Sequence, residues 1–542
     1  MKTRRILLAL LAISIVACQK PEIIPGTDTP GTVDPEPGPG PDPEPEPEPE
    51  PEKPAGRWDD TGADLADYPT YNKVSALADF PRIDITWEDD PANHKLSGEG
   101  EFEYVDGTIK FSDPKGMYTP QENVEFDFDN TTVTLQMKIK GRGNTSWNAE
   151  NGVKRAYRIK LLSQDRSGKE PHRLFGMKKD SDWYLLSDVQ DPTLLRNPLA
   201  QRVARMVSMP WSPKFRCVEL YRTKSNGSSQ YMGCYLLCEA KEADRENKAP
   251  ITIVEPGQVD GGYLLEIDNK GDYDRSFRSD SFYKKIKYKD PDFGDKNNPD
   301  DSPDATAQRE FITKYVNDVE ALLDARNFNP ETGYRSMMEV GTFIGNYIVH
   351  EVTKNMDGGM RLSTYLAKDA DTKLFMPFVW DFDLTLGNYN EYPSQSFNLS
   401  DGNDPQGWFI RVRGGSFDYN YPYGDPYGAK TSYYQCLFED PLFVADLKEY
   451  WNRVKPRLDK IPAYIDKMVE YNALAYDHNS SAGFNPRANN RGSGIKRFSS
   501  WRAAVEYMKD FYAQRVQWLD TNINALEAQH YNESTGQYEA IK

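Results

Sequence analysis

The sequence predicts an α+β fold with two lobes, a β-rich N-terminal half and a helical C-terminal half. Alternating, β-branched and aromatic patterns dominate residues 58–290, whereas apolar residues at helical spacing dominate residues 291–542. A polar loop rich in Asp and Asn, residues 290–305, separates the two patterns. About 485 residues follow the first 57, which suffices for a large core divided into two or three domains or lobes. We therefore expect a cleft between the lobes.

Residues 1–18 have the pattern of a lipoprotein signal peptide. Basic residues open the chain, an apolar run extends from Ile6 to Val16, and Ala17 precedes Cys18. The apolar run of about eleven residues is shorter than the roughly 20 helical residues that span a bilayer. We therefore expect a lipid on Cys18 that holds the chain to a membrane of the cell envelope, at the outer membrane or cell surface. An ordinary secretory signal in which Cys18 is incidental is the alternative.

Residues 19–57 form an acidic, proline-rich segment that ends in the repeat PEPEPEPEPE. Alternating prolines forbid helix and ladder hydrogen bonds and the glutamates repel one another, so the pattern predicts an extended tether. A proline-rich ligand for a partner domain is the alternative. The tether carries part of the net charge of -18, so the body is only moderately acidic, and nothing indicates a nucleic-acid partner.

Strand patterns in the N-terminal half are bounded by Gly, Asn and Asp turns. They cover residues 81–89, 132–144, 156–162, 217–223, 232–240 and 261–269. One helix is predicted over residues 193–207, because apolar residues recur at helical spacing after Asp191-Pro192.

Helical patterns in the C-terminal half are interrupted by one predicted β-hairpin over residues 361–388, which turns at Asp369-Ala-Asp371. The helices are predicted over residues 307–325, 336–355, 441–471 and 501–529. The second strand of the hairpin would return to the end of the helix 336–355, so residues at these two places are expected to meet.

The cysteines after Cys18 are Cys217, Cys234, Cys238 and Cys436, and the first three lie on a predicted hairpin that turns near Asn226-Gly227. Their spacing does not fit a zinc site, and the five His residues of the chain are not grouped. Zinc chemistry and a His-based triad are therefore not expected. Buried thiols are the preferred interpretation of the cysteines, and disulfides in an exported protein are the alternative.

Carboxylates gather at the predicted meeting point of hairpin and helix. Asn355 and Asp357 end the helix, while Asp381 and Asp383 close the second strand. Such oxygen ligands suit Mg²⁺ or Mn²⁺, and phosphoryl transfer needs one carboxylate to orient a hydroxyl and others to hold the metal. The alternative is structural, with the carboxylates capping loops through hydrogen bonds to backbone N–H groups.

Basic residues follow a glycine-containing turn. Arg142 lies between Gly141 and Gly143, and Arg158 and Lys160 alternate with apolar residues on the next strand, so that both charges share one face. Cations beside a turn that lets the backbone approach a ligand are what a triphosphate requires. A merely solvated strand face is the alternative.

Seven separated motifs together resemble the CotH family, which is named for a spore-coat protein and comprises atypical, secretory-type protein kinases. In chain order they are KIKGRGNTSW, KRAYRIKLL, WYLLSDVQDPTLLRNPLA, GCYLLCEAKEAD, GGYLLEID, NMDGGMRLSTYLAKD and FVWDFDLTLGN. The resemblance extends roughly from Phe80 to Leu526 and implies an atypical protein-kinase-like fold.

The resemblance implies ATP- and metal-dependent phosphorylation of Ser or Thr on exported protein substrates. Asp357 matches the catalytic aspartate of the family's Asn-x-Asp stretch, which begins here at Asn355, and Asp381 matches its metal-binding aspartate. Asp383 would be a second metal ligand. Phosphate contacts are implied for Lys160, Arg142 and Arg158, with Glu239 or Glu266 as the acidic partner of the lysine.

A second hypothesis is a catalytically inactive surface lipoprotein that binds a glycan or a protein. The Tyr-rich stretch from Phe417 to Tyr434 has the composition of an adaptable contact surface. The same stretch would equally suit a lid over the cleft.

Overall fold

The structure is a computed structural model, and it describes most of the chain after residue 71. The described residues are 72–90, 102–118, 133–143, 154–187, 189–244, 246, 248–268, 275–295, 297–356, 358–360, 362–370, 372–388, 402–410, 433–484, 498–532 and 537–541. The predicted signal peptide and tether, with Cys18, lie outside them, as does Asp357.

Seven strands close into a barrel in the order β1-β2-β3-β4-β5-β7-β6. They are β1 (Arg82–Trp87), β2 (Val105–Ser112), β3 (Val133–Gly141), β4 (Tyr157–Leu162), β5 (Asp182–Leu186), β6 (Phe215–Thr223) and β7 (Ser229–Glu239). All neighbours are antiparallel except β1 and β6, whose parallel pairing closes the barrel. Strand β4 alternates buried Ile159 with half-buried Arg158 and Lys160, so its cations lie on the outer face, as the sequence predicts.

A second sheet has four strands in the order β11-β8-β10-β9. Its strands are β8 (Tyr263–Ile267), β9 (Ser276–Arg278), β10 (Lys285–Asp290) and β11 (Thr364–Lys368). Every residue of β8 and of β11 is buried, which explains their nearly continuous apolar sequences. Strand β11 belongs to the C-terminal half of the chain, so this sheet takes strands from both sides of residue 290.

Helices surround the two sheets. They are α1 (Arg196–Met206), α2 (Pro303–Asp324), α3 (Val340–Thr353), α4 (Tyr433–Leu437), α5 (Pro441–Leu458), α6 (Ile461–Ser481) and α7 (Trp501–Asn524). A terminal hairpin joins β12 (Gln529–Asn532) to β13 (Gln537–Ala540). Ser302, Asp440 and Ser500 cap helices α2, α5 and α7 by accepting hydrogen bonds from first-turn N–H groups.

The helix predicted over residues 441–471 is two helices, α5 and α6. Pro462 has no N–H with which to bond the carbonyl of Leu458, and its ring crowds that carbonyl, so the first helix stops and the second begins. Helix α6 also continues ten residues beyond the predicted end, to Ser481.

The predicted hairpin over residues 361–388 is wrong in its second strand. Strand β11 pairs along its whole length with β8, and its only contact of the hairpin type within the described residues is the bridge between Ala367 and Phe375. The backbone beyond Phe375 is bound elsewhere, because the Met376 N–H donates to Thr342 Oγ1 at 3.0 Å and Pro377 O accepts from the Trp211 N–H at 3.0 Å.

The α+β fold class is confirmed, since helices and strands both contribute to one large hydrophobic core. Residues Gly56–Lys542 form one compact unit. None of the helices in the described part of the chain combines the length and apolar character that crossing a membrane requires.

Candidate functional site around Asp381

Helix α1 fixes the segment that carries Asp381. Asn197 Oδ1 accepts the Phe382 N–H at 2.9 Å, and Gln201 Nε2 donates to Val379 O at 2.8 Å. Both side chains are buried, so these contacts hold the backbone on either side of Asp381 without competition from water.

A buried ion pair fixes the far end of the same segment. Arg196 and Asp191 are fully buried, and their side chains meet at 2.5 Å. Arg196 Nε also donates to Thr385 O at 2.9 Å. The motif that opens α1 therefore serves as the platform on which residues 380–388 rest.

The end of α3 meets the Asp381 segment, as the sequence predicts for residues around position 355. The buried Asn355 side chain joins them, because its Nδ2 donates to Asp381 O at 3.1 Å and its Oδ1 accepts the Gly358 N–H at 3.1 Å. Asp357, the predicted catalytic residue, lies outside the described residues, although its neighbours Met356 and Gly358 are described. Asn355 thus ties Gly358 to the backbone of Asp381.

Two backbone hydrogen bonds reinforce this junction. The Met356 N–H donates to Leu384 O at 3.2 Å, and the Leu386 N–H donates to Thr353 O at 2.8 Å. Residues 353–356 and 384–386 therefore run side by side, and their separation is set by backbone geometry.

Unusual backbone conformations concentrate at this junction. Asp381 has a φ of 72°, in the left-handed region that side chains other than Gly rarely adopt. The residues with such backbone between positions 354 and 386, apart from glycines, are Lys354, Met360, Ser363, Asp381 and Leu386. Left-handed backbone costs on the order of 1–3 kcal/mol per residue and persists where surrounding contacts enforce it, often at active sites. The buried hydrogen bonds to α1 and α3 supply those contacts.

The two carboxylates of the Trp380–Asp383 stretch remain partly exposed, whereas Phe382 between them is fully buried. Ser363 Oγ donates to Asp381 Oδ2 at 3.4 Å, and Asp383 O accepts from Asn388 Nδ2 at 2.7 Å. Asp381 and Asp383 can therefore present oxygen atoms to a ligand while the residue between them anchors the backbone.

His350 of α3 packs behind this site. Its ring lies 4.9 Å from the ring of Phe382. Burial lowers the pKa of His350 to about 3, so the imidazole is neutral, and its Nδ1 has no hydrogen-bond partner among the described residues. A Cβ on Gly358 would lie 2.6 Å from two atoms of this ring. Position 358 therefore requires glycine, which lets the turn after position 357 approach His350.

Cations and aromatic rings adjoin Asp381. The Arg142 guanidinium lies 4.4 Å from the ring centre of Tyr184 and 5.7 Å from that of Trp380. Lys241 Nζ lies 4.6 Å from the ring centres of both Trp380 and Tyr365. Arg142 and Lys241 thus both lie near the ring of Trp380, the residue that immediately precedes Asp381.

Lys241 also faces Glu266. Its Nζ lies 3.9 Å from Glu266 Oε1, and Lys289 Nζ lies 3.7 Å from Glu266 Oε2. The Tyr365 hydroxyl accepts a hydrogen bond from Lys241 and donates one to Glu266. We call the group Arg142, Lys241, Lys289, Glu266 and Asp381 the open cluster.

The pKa values of both Glu266 and Lys241 are shifted from their ordinary values. Burial alone would raise the pKa of Glu266, but Lys241 and Lys289 lower it to about 2. Burial lowers the pKa of Lys241 to about 8, and the charges of Glu266 and Asp381 offset only part of that effect. The carboxylate is therefore firmly ionised, whereas the lysine is a poorly solvated cation that a further anion would stabilise.

A second charged group also lies near Tyr184, through Arg158, whose guanidinium is 5.8 Å from the centre of that ring. Arg158 contacts Asp182 at 2.8 Å and Glu242 at 2.7 Å, and Lys169 contacts Asp182 at 2.7 Å. Lys248 contacts Glu242 at 2.9 Å and also pairs with Asp180. We call the group Asp180, Asp182, Glu242, Arg158, Lys169 and Lys248 the closed cluster.

Three carboxylates of the closed cluster, Asp180, Asp182 and Glu242, each offer an oxygen atom within 4.8 Å of the others, a spacing that a metal ion could use. Each of them already contacts at least one cation of the protein. A metal ion would have to displace these cations, so the geometry favours a structural role for this group.

The structure places the predicted phosphate-binding cations at different points. Arg142 lies near the rings of Tyr184 and Trp380, whereas Arg158 belongs to the closed cluster and lies 5.8 Å from the Tyr184 ring centre. Lys160 stands opposite Asp182 in the sheet, with its Nζ 4.8 Å from the ring centre of Tyr104. Burial lowers the pKa of Lys160. Tyr184 therefore connects Arg142 with the face of β4 that carries the other two cations.

Sequence reasoning missed Lys241. This residue follows the buried stretch that ends strand β7, and a lysine in such a position does not by itself indicate a binding site, because most lysines are solvated. Glu239 and Glu266 were predicted as alternative partners of Lys160, but Glu266 faces Lys241, and Glu239 accepts backbone N–H groups of Lys178 at 3.4 Å and Lys214 at 2.8 Å.

The donor set fits a nucleotide with a divalent metal ion. Asp381 and Asp383 offer the carboxylate oxygens that Mg²⁺ and Mn²⁺ prefer. Arg142 and Lys241 offer the N–H donors that bind phosphate oxygens, and the guanidinium forms no ion pair with any carboxylate in the described part of the chain.

Comparison with protein families identifies one match. The family model described as CotH kinase protein matches residues 139–519, which is more than half of the 542 residues. The matched region contains both charged clusters and the Asp381 segment. A comparison with curated proteins found no match. The chain therefore belongs to the CotH kinase protein family.

Proposed function

We propose that this chain is an atypical, secretory-type protein kinase that transfers the γ-phosphoryl group of ATP to Ser or Thr hydroxyls of exported proteins. The observation that carries the proposal is the open cluster, in which Arg142 and Lys241 lie near the ring of Trp380, the residue that precedes the conformationally strained Asp381. Family membership supports the same reaction class. In this proposal, the barrel with its neighbouring sheet and the helical half act as the two lobes of a kinase-like fold.

The cations of the site would bind the phosphates. Phosphoryl transfer develops little new covalent chemistry on the protein, so charge neutralisation and positioning dominate catalysis. Arg142 would contact the phosphates from the Tyr184 side and Lys241 from the Glu266 side. Glu266 would orient Lys241, as the ion pair between a lysine and a glutamate does in protein kinases. Lys160 would add positive charge from the adjoining face of β4, whereas the charge of Arg158 is balanced by Asp182 and Glu242.

Asp381 and Asp383 would hold Mg²⁺ or Mn²⁺. When bound, the metal ion supplies charge neutralisation at the phosphate oxygens. The substrate hydroxyl oxygen forms a bond to the γ-phosphorus, the bond to ADP breaks, and the hydroxyl proton passes to Asp357. The role of Asp357 rests on the family motif. Asn355 would act as a positioning residue, since it bonds both the turn at Gly358 and the backbone of Asp381.

A thermal-shift assay on the full chain tests nucleotide binding. We expect ATP with MgCl₂ or MnCl₂ to raise the melting temperature and Asp381→Asn to abolish the shift. Asp318→Asn is the matched control, because Asp318 is an exposed residue of α2 whose carboxylate pairs with Lys314. Equal shifts in both variants would contradict the assignment of Asp381.

A transfer assay tests the reaction itself. We expect label from γ-labelled ATP on a Ser-rich synthetic peptide, with Asp357→Asn and Asp381→Asn inactive and Asp318→Asn active. Absence of transfer and of any nucleotide-dependent shift, together with retention on a glycan or protein array, would support the binding-module hypothesis instead.

The binding-module hypothesis depends on the Tyr-rich stretch 417–434, most of which lies outside the described residues. Its last two tyrosines are buried, and their hydroxyls donate inward, Tyr433 to Glu320 at 2.7 Å and Tyr434 to Asn346 at 2.9 Å. These two residues therefore contribute to the core and not to a contact surface.

We also propose that the chain is a cell-envelope lipoprotein, anchored through Cys18 and held away from the membrane by residues 19–57. The basis is the sequence pattern of residues 1–18. Metabolic labelling with an alkyne analogue of palmitate should mark the wild-type chain and not Cys18→Ala. Equal labelling of both would show that Cys18 is not the attachment site.

A further inference from the structure

Two buried cysteines face each other across the β6–β7 ladder. Glu219 of β6 stands directly opposite Cys234 of β7, and Cys217 lies two residues before Glu219, so the two cysteines are diagonal neighbours on one face of the sheet. Their Sγ atoms are 2.9 Å apart, and the residues are 3% and 1% exposed. The sulfurs need to approach by only about 0.9 Å to reach the roughly 2.05 Å length of a disulfide.

We propose that Cys217 and Cys234 form an intrachain disulfide when the chain folds under oxidising conditions. In this reaction the two thiols lose two protons and two electrons and the S–S bond forms. The oxidant is a second disulfide, such as that of oxidised glutathione, which is cleaved to two thiols. The pairing is selective, because Cys238 Sγ instead donates to Glu239 O at 3.2 Å and Cys436 belongs to helix α4 and not to this sheet.

The backbone around both cysteines is held in place from outside the sheet. The Cys234 N–H donates to Asn479 Oδ1 at 2.9 Å, and Lys154 Nζ donates to Cys234 O at 2.6 Å. The Tyr118 hydroxyl donates to Cys217 O at 2.9 Å. The sulfurs are therefore presented to each other by a fixed scaffold, so that forming the bond requires side-chain adjustment alone.

Burial determines when the bond can form. Burial raises the pKa of the Cys217 thiol well above its ordinary value, and the neighbouring Cys234 and Glu219 raise it further. Because the thiolate is the reactive species, exchange is slow once the barrel has closed. The disulfide therefore forms while the barrel assembles, and afterwards the fold shields it from reductants.

Thiol mapping tests the proposal on the full chain carrying Cys18→Ser, which leaves the four cysteines of the body. The reduced, unfolded chain is refolded with oxidised and reduced glutathione and then alkylated in denaturant with N-ethylmaleimide. We expect a peptide pair linked through Cys217 and Cys234, with Cys238 and Cys436 alkylated. Alkylation of all four thiols, or a linkage between any other pair, overturns the proposal.

Two further measurements use the same protein. Dithiothreitol should open the bond rapidly in denaturant and slowly in the folded chain. The oxidised chain should melt about 3 °C above the reduced chain, because the crosslink restricts the unfolded state. Cys436→Ala should retain this redox-dependent difference, whereas the double variant Cys217→Ala, Cys234→Ala should lose it. Equal melting temperatures of the oxidised and reduced chain that retains Cys217 and Cys234 would contradict the crosslink.

Discussion

The open and closed clusters each place an arginine near Tyr184, and they use the same kinds of side chain in opposite ways. Arg142 of the open cluster and Arg158 of the closed cluster lie 4.4 and 5.8 Å from the centre of that ring. In the closed cluster, opposite charges meet at 2.7 to 2.9 Å. In the open cluster, Glu266 lies 3.9 Å from Lys241 and 3.7 Å from Lys289.

The difference separates charges that are paired within the fold from charges that, in the proposed function, would bind the nucleotide. The closed cluster has three cations and three carboxylates in direct contact, so its charges are satisfied by the protein itself. In the open cluster, Arg142 rests on aromatic rings and Lys241 is desolvated enough to have a lowered pKa. Substitutions in the closed cluster should therefore change stability, and substitutions in the open cluster should change nucleotide binding and transfer.

The largest expected effect is at Asp381. Asp381→Asn should reduce phosphoryl transfer by at least about 10³-fold, since it removes a charge that acts on the metal and phosphates. Its free energy of unfolding should change by less than about 1 kcal/mol, because Asn tolerates the left-handed backbone. Steady-state transfer rates and urea denaturation measure the two quantities.

Asp182→Asn is the control from the closed cluster. It should lower the free energy of unfolding by about 2 kcal/mol, because Arg158 and Lys169 lose a buried partner. Transfer by the folded molecules should remain within about tenfold of wild type. The reverse outcome, in which Asp182→Asn abolishes transfer and Asp381→Asn only destabilises, would exchange the roles of the two clusters.

A matched pair of lysines gives the next largest effect. Lys241→Met should raise the Kd for ATP by about 10- to 100-fold with little loss of stability, since it removes a phosphate contact and a poorly solvated charge. Lys248→Met should leave the Kd within about threefold and destabilise the fold by about 2–3 kcal/mol, because Asp180 and Glu242 lose their cation. Calorimetric titration and urea denaturation separate the two. If Lys241→Met and Lys248→Met are equally destabilised and both bind ATP with unchanged Kd, Lys241 is not part of the nucleotide-binding site.

The same two lysines should respond oppositely to alkaline pH in the metal-free, nucleotide-free protein. Burial lowers the pKa of Lys241 to about 8. Between pH 8 and the ordinary value of 10.5 the unfolded state then holds a proton that the folded state has lost. The contribution of Lys241 to stability therefore rises with pH by up to about 1.4 kcal/mol per unit.

Lys248 has the opposite sign. Although burial opposes it, Glu242 and Asp180 raise its pKa, so its contribution is fully present below 10.5 and is lost only above that value. Urea denaturation at pH 7, 8, 9 and 10 should show the stability difference between wild type and Lys241→Met growing in favour of wild type. The difference for Lys248→Met should stay constant over this range. Parallel behaviour of both variants would contradict the distinction between the clusters.

Local pattern predicted most single elements, whereas long-range pairing was beyond it. Alternation identified β1, β3 and β4, and the bounds of α2 and α3 fall within a few residues of the prediction. The parallel pairing of β1 with β6, which closes the barrel, joins segments more than 130 residues apart. Strand β2 was missed because Gly107 interrupts the alternation of apolar residues. The glycine is required there, since a Cβ at that position would lie 2.3 Å from Thr86 O of the neighbouring strand.

The site divides in the same way. The proximity of Asn355 to Asp381 was predicted from a hairpin over residues 361–388 and is correct, but the predicted reason is wrong, since α1 and not a hairpin holds the Asp381 segment. Lys241 escaped prediction because a lysine after a strand is usually solvated. Its role depends on Glu266 and Trp380, which adjacent residues cannot reveal.

The smallest expected effect concerns Arg142 and the planarity of its side chain. Arg142→Lys keeps the charge but loses the flat guanidinium that lies 4.4 Å from the Tyr184 ring centre and 5.7 Å from that of Trp380, so the Kd for ATP should rise about fivefold, or about 1 kcal/mol. Arg222→Lys is the control, because Arg222 lies 4.3 Å from the ring centre of Trp87, on a strand outside the open cluster. It should leave the Kd unchanged. A similar rise in both variants would mean that the contact of arginine with aromatic rings serves the fold alone. It would contradict the assignment of Arg142 as a phosphate contact.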